Sequence, residues 1–379
     1  MKNIGVLLPK SSTHLEIGYD FFFGLKAYFA DKPGFDPSFH IANIGFGIDD
    51  DLMFSETERM FLEKNVDILL VFAEHPKVDK IFPLAAQFRR VILVVNPGAK
   101  YPVDWQTPDF VVFLTMGEIL SAKLAAKNAI LDLGISKGIN ASNYYDGGYG
   151  IGDGFYLGQE SAGGQVLFNF VSKHLEAEFD SKPLTDFLKE TQEQVLIYSI
   201  YTGRLLPLFL DKISDFRSQA ILVCSAAMLQ EIIDSEFQNR FSLPEIFSAT
   251  SLNPIWKNGG FQPINEYFIK EAKKDVSPFS YLGWDAGVVV HQFYTLPTTA
   301  WQERTKQLEK YALTGSRGEL QFHRKTGHFI GEQYKVYFRD RHLEVMKIAL
   351  KEVIKEWEQI IVSRPQPLQV GWFNTYLCS

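Results

Sequence analysis

At 379 residues the chain is too long for one ordinary core and too short for three, so two domains are expected. An apolar share of 46% and a charged share of 22% exclude a disordered or fibrous protein. The net charge is −7 and the basic residues are scattered, which argues against nucleic acid as a main partner. The longest apolar runs, Val66–Ala73 and Val91–Val95, have strand length and fall short of the ~20 residues that span a bilayer, so no membrane insertion is expected.

From the N-terminus, Lys2–Leu8 is a short apolar run ended by Pro9, followed by a polar loop, Lys10–Glu16, and an aromatic-rich helical stretch, Gly18–Phe29. A strand over Phe39–Gly45 leads through Asp49-Asp50-Asp51 to a helix over Met53–Asn65. Val66–Phe72 has the near-continuous apolarity of a strand buried on both faces, and Val91–Val95 repeats it before Asn96-Pro97-Gly98. This β-α alternation predicts a parallel sheet with right-handed crossovers. After Thr115 it begins afresh: helix Glu118–Leu133, a weaker strand Gly138–Tyr145, and further repeats at Gly154–Leu175, Gln194–Ile200, Arg204–Phe216, Ala220–Cys224 and Ala227–Phe237. Beyond about Leu252 the texture changes. Ser277–Thr295 and Trp301–Tyr311 read as helices, Gly318–Phe338 as a β-hairpin turning at Lys325-Thr326-Gly327, and His342–Ile361 as one long helix with Val345, Ile348, Ala349 and Val353 on a single face.

Chemical motifs are sparse. The run Gly147-Gly148-Tyr149-Gly150-Ile151-Gly152-Asp153-Gly154 fits G-x-G-x-x-G in no register and lacks a following Lys-Ser/Thr, so it is a weak phosphate loop. His323 and His328 flank a turn and put no two ligands on one helical face, and Ser225 lacks the glycines of a nucleophile elbow. Cys224 and Cys378 do not form a disulfide framework. Asn140-Ala141-Ser142 matches the glycosylation triplet, which often arises by chance. No catalytic residue, metal site or cofactor is implied. Two α/β units without a nucleophile, metal set or phosphate loop describe a binding protein, whose ligand would sit beyond the carboxyl ends of the strands.

In those post-strand loops the chain resembles type I periplasmic-binding-protein-like proteins, specifically the solute receptors of branched-chain amino-acid ABC transporters. The resemblance is carried by Ile4–Pro9 with Gly18-Tyr19-Asp20 and Gly24, Val66–Leu70, Val94–Ala99, Tyr149-Gly150-Ile151-Gly152, Tyr281–Ala286 and Gly315–Phe322, in order over nearly the whole chain. It implies two doubly wound parallel-sheet lobes joined by a three-strand hinge, residues 1–117 with 252–328 forming lobe one and 118–251 with 329–379 lobe two. It further implies a non-enzymatic receptor that closes on an amino-acid-like or other small polar ligand and is recognised by a membrane permease.

By the same resemblance the cleft is lined by Ser11, Ser12, Tyr19, Ala73, Glu74, Ala99 and Lys100 from lobe one and by Tyr149, Tyr201, Thr202 and Ser225 from lobe two. A helix beginning after Phe72 would aim free N–H groups at a ligand carboxylate. Departures accompany the matches. The family's carboxylate-binding Ser and Thr positions hold Ala73-Glu74-His75 and Ala99-Lys100, and its acid falls at Ser225, so the α-amino-acid clamp is rewritten. Lys100 and Arg204 are candidate partners for an anion, and Glu74 for a hydroxyl or amine, against the plainer reading of a Glu74–Lys100 pair at the rim. The resemblance places the protein in the periplasm. The sequence shows no secretory leader after Met1-Lys2-Asn3, which leaves a removed leader or a cytoplasmic location. A cytoplasmic sensor of the same fold working through a regulatory protein, and a two-lobed glycosyltransferase, are the alternative readings.

Overall fold

A computed structural model describes residues 2–143, 148–234, 237, 241–254, 261–297, 301–339 and 342–368. The chain first lays down five strands, β1 (Asn3–Leu8), β2 (Ser38–Asn43), β3 (Ile68–Phe72), β4 (Val91–Asn96) and β5 (Val111–Thr115), all paired in parallel. It then crosses to a second sheet with β6 (Lys137–Asn143), β7 (Gln165–Ser172), β8 (Val195–Ser199), β9 (Ala220–Cys224) and β10 (Ile246–Thr250). A return crossing adds β11 (Leu313–Gly315), β12 (Gly318–His323) and β13 (His328–Gly331) to the first sheet, and a third adds β14 (Gln333–Arg339) and β15 (His342–Ile348) to the second. The sheets have eight strands in the order β11-β12-β13-β5-β4-β3-β1-β2 and seven in the order β15-β14-β10-β9-β8-β6-β7.

Helices cover both faces of each sheet, which is why β3, β4, β8 and β9 are buried along their full length and carry apolar residues without alternation. The first sheet lies between the apolar clusters around Phe21, Phe72 and Phe293 on one face and Met60, Leu69 and Phe113 on the other. The second sheet lies between clusters around Leu124, Tyr198 and Trp357, and around Ile197, Phe209 and Leu222.

Arg317, in the β11–β12 turn, ties the crossings together. Its Nε donates to Asp285 Oδ2 at 2.6 Å, and its Nη1 donates to Thr115 O at 3.1 Å and Ser251 Oγ at 3.3 Å, at the ends of β5 and β10. Asp285 Oδ1 also accepts from the Ser316 N–H at 2.6 Å, and a Cβ at Gly315 would lie 2.4 Å from that oxygen. The Trp284-Asp285-Ala286 and Gly315–Phe322 motifs are thus two halves of one buried joint. The third crossing is held by Ser121 Oγ, which donates to Gln333 Oε1 at 2.8 Å.

Two expectations from the sequence change. The hairpin is confined to β12 and β13, because after Gly331 the chain leaves for the other sheet. The long helix predicted over His342–Ile361 is instead the antiparallel edge strand β15 followed by a helix over Leu350–Ser363. Val345 and Ile348 fit a helical face, but Leu343 and Val345 also alternate with Glu344 and Met346, and pairing with β14 settles the choice in favour of period two.

Candidate functional site

A cleft of about 440 Å³ lies between the two sheets at the carboxyl ends of their strands. Four helices begin at its wall: Ile17–Ala30 after β1, Glu118–Leu133 after β5, Ala226–Asp234 after β9, and Pro278–Thr295. Each starts where a strand ends and a short loop turns the chain back, except Pro278–Thr295, which opens with a capping box: Ser277 Oγ accepts from the Ser280 N–H and Ser280 Oγ from the Ser277 N–H. The apolar part of the wall comes from Leu15, Ile17, Met116, Leu252 and Phe279, and the acidic part from Glu16, Asp20, Glu118 and Glu231. Lys274 bridges Glu16 and Asp20, at 2.5 Å from Asp20 Oδ1, and the Gly203 N–H donates to Glu231 Oε2 at 2.7 Å. His14 packs edge-on against Phe279 at 5.3 Å, and burial pulls its pKa down to about 4, so the ring is neutral at pH 7.

Of the residues singled out in the sequence, Thr202 lines this cleft. Ser11 is buried beside it and accepts from the Thr13 and His14 N–H groups at 3.2 and 3.0 Å, shaping the loop ahead of the first helix. Ser12 is exposed, and Tyr19 is half exposed, stacked on Phe23 at 5.0 Å with the Lys274 ammonium 4.9 Å from its ring. Ser225 is buried and caps the helix Ala226–Asp234, its Oγ accepting from the Met228 N–H at 3.3 Å. Tyr201 is a core residue: fully buried, stacked on Phe209 at 4.4 Å, with its hydroxyl donating to Ser142 O at 2.8 Å.

Ala73 and Ala99 are fully buried. Glu74 is buried as well, and neither carboxyl oxygen has a hydrogen-bond partner among the described residues. Burial pushes its pKa up to about 7 against the pull of Lys100 and His75. It is therefore not a rim residue; Lys100 is half-buried, and Arg204 is exposed and faces Glu176. The first helical turn after Phe72 begins only at Val78, leaving Glu74 and His75 in the intervening loop, where His75 Nδ1 lies 2.6 Å from Asp79 Oδ2.

Tyr149 lines a different cavity, of about 360 Å³ within the second lobe, together with Tyr156, Tyr198 and Asn143. The glycine run around it has a packing role. Gly150, Gly154 and Gly158 form one face of the helix Gly148–Ser161, where an added Cβ would lie 2.2 Å from Ala99 O, 2.4 Å from Ile119 O and 2.3 Å from Lys123 O. Their spacing of four residues was the available signal for a close helix crossing. Asn140, the would-be glycosylation site, sits in β6, donating to Asn169 Oδ1 at 2.9 Å and accepting from Gln159 Nε2 at 3.0 Å. His328 Nδ1 lies 2.6 Å from Thr326 O and His323 Nδ1 2.9 Å from Thr326 Oγ1, so both flank and bind their own turn. Cys224 is buried and its thiol is pushed up to about 12 by that burial; Cys378 lies outside the described residues.

The acidic wall residues were missed in the sequence because they come from elements far apart in the chain. The signal was their position: Glu16, Asp20 and Glu118 each stand in or just before a first helical turn that follows a strand.

No family model and no curated protein matches the chain. Solved structures match over nearly its whole length. A periplasmic ligand-binding protein of a branched-chain amino-acid ABC transporter from Burkholderia xenovorans superposes with a TM-score of 0.74 at 13% identity, covering 93% of this chain and 96% of that one. An ABC transporter substrate-binding protein from Sphaerobacter thermophilus gives 0.72 at 16% identity, over 92% and 97%. A solute-binding protein of an ABC transporter from Rhodopseudomonas palustris, in complex with benzoate, gives 0.69 at 15%, over 92% and 97%. The chain thus has the two-lobed fold of the type I periplasmic binding proteins, and at these identities the likeness is one of fold.

Proposed function

We propose that the protein is a non-enzymatic solute receptor that closes its two lobes on a small organic molecule. The observation that carries this reading is the cleft itself: about 440 Å³, the size of a small-ligand site, with walls from both lobes. The lobes move about the crossings near Met116, Ser251 and Glu332, and bound ligand shifts the population toward the closed form. The solved proteins of this fold bind benzoate or belong to branched-chain amino-acid transporters, which supports delivery to an ABC permease from the periplasm. No helix among the described residues is long and apolar enough to cross a membrane.

A thermal-shift screen tests this function. Amino acids, aromatic carboxylates, amides, amines and sugars are each added to the purified protein, with nucleotide sugars and divalent metals alongside. A solute at 100 times its dissociation constant adds about 2.7 kcal/mol, a clear rise in melting temperature. A small solute that stabilises without being turned over is the expected result. Stabilisation by a nucleotide sugar with metal alone would overturn the reading in favour of a glycosyltransferase.

A further inference from the structure

The cavity of about 360 Å³ in the second lobe lies between the helix Gly148–Ser161 and the sheet edge formed by β6 and β7, and it shares no lining residue with the cleft among the described ones. Its floor is a row of polar side chains across three neighbouring strands. The register sets Tyr198 of β8 beside Asn140 of β6, and Asn140 beside Asn169 of β7, so that all three share the sheet face that lines the cavity. The row runs from the core, where Tyr198 is buried, to the surface, where Asn169 is exposed. The Tyr198 hydroxyl has no hydrogen-bond partner among the described residues, a cost that packing alone does not offset. Asn140 joins Asn169 and Gln159 through one donor and one acceptor, and each amide carries two N–H donors and an oxygen with two lone pairs.

Over this floor the helix presents Tyr149, Gly152 and Tyr156 on one face. Both rings are about half exposed, and between them a Cβ on Gly152 would meet nothing within 4 Å. Asp153, on the same wall, is already held by Tyr101 and Arg364. The cavity has the volume of a small-molecule site. Amides and phenolic hydroxyls that both donate and accept match a set of alcohol groups, each of which does the same. Tyrosine combines an apolar ring face with a polar tip, which suits a molecule with a C–H face and a hydroxylated edge. We propose that this cavity is a second binding site, separate from the cleft, for a hydroxyl-rich ring of monosaccharide size.

Isothermal titration of the full chain at pH 7.5 tests the proposal with glucose, galactose, ribose and N-acetylglucosamine, and with adenosine as a flat ring that also stacks on tyrosine. Binding of a sugar is expected, weakened at least tenfold in Gly152→Trp, which fills the gap, and at least fivefold in Asn169→Leu, an exposed position. Ala227→Trp, which fills the cleft, should leave that affinity within twofold of wild type. An unchanged melting temperature without ligand shows that each variant folds. A sugar lost in Ala227→Trp and kept in the other two variants would overturn the second site and make that sugar the solute of the cleft. Adenosine bound more tightly than every sugar and lost in Gly152→Trp would overturn the ligand class. Failure of all four sugars to bind overturns the proposal and leaves the receptor reading to the wider thermal-shift screen.

Discussion

The hydroxyl of Tyr101, in the loop that follows β4 of the first sheet, donates to Asp153 Oδ2 on a helix of the second lobe at 2.8 Å. Arg364 holds the same carboxylate from the other side, at 2.6 Å from Oδ1, and its backbone carbonyl accepts from Trp105 Nε1 at 2.6 Å. The loop therefore packs in the core of the second lobe, with Trp105 edge-on to Trp357 at 5.6 Å. Lobe one thus grips lobe two beside the cleft, and Ala99, fully buried in this grip, serves packing. Replacing Asp153 with Asn removes the charge from a partly buried network and should cost about 1–3 kcal/mol; Tyr101→Phe should cost about 1. The double variant should cost less than the sum, as expected of groups that share a partner. Urea unfolding of the four proteins measures this.

The hinge joint gives a larger effect. Asp285 and Arg317 are both buried, and Asp285→Ala strands the guanidinium between Thr115 and Ser251. A loss of about 3–5 kcal/mol is expected from breaking such a pair. An unfolding free energy, from urea titration, lowered by less than about 1 kcal/mol would show that the joint contributes little.

Gly154 and Gly152 make a matched pair two residues apart on one helix. A Cβ at Gly154 would meet Ile119 O at 2.4 Å, whereas one at Gly152 meets nothing within 4 Å. Gly154→Ala should destabilise by about 1–3 kcal/mol through overpacking. Gly152→Ala should stabilise by up to about 1 kcal/mol through helix propensity. Opposite signs in thermal unfolding confirm the packing role of the glycine run, and equal effects contradict it.

Glu74 predicts a pH dependence. Its pKa is raised from 4.5 to about 7 on folding, so the folded state holds the proton more tightly than the unfolded one. Its contribution to stability then falls as pH rises from about 4.5 to about 7 and is flat above, a span of about 3 kcal/mol. His14 acts in the opposite sense: its pKa, lowered to about 4, makes stability fall as pH drops below 6.5. The difference between wild type and Glu74→Gln isolates the carboxyl. The variant should gain relative stability steadily from pH 4.5 to 7.

Much of the fold is legible because buried parallel strands are written as unbroken apolar runs: β3, β4, β8 and β9 lie where those runs stand, and Glu118–Leu133 is helical over the stretch its alanines predict. The edge strand β15 is not, since His342–Ile348 fits two periods and only its partner β14 decides between them. The site is less legible than the sheets. Tyr201 and Ala99 stand in post-strand loops, as ligand residues would, but whether such a residue points into the cleft or the core depends on contacts with Phe209 and Gly150 from distant segments. The acids of the cleft likewise meet only when both lobes are folded.

The central claim, that the cleft between the lobes holds the solute, is tested most directly by filling it. Ala227 lines the cavity from the second lobe and packs against the core of the first. The strongest stabilising solute of the screen is titrated into wild type and Ala227→Trp. The account predicts that the variant, melting normally without ligand, loses the ligand-induced rise in melting temperature. An undiminished rise in Ala227→Trp, or a full panel in which no small solute stabilises the wild type, would contradict it.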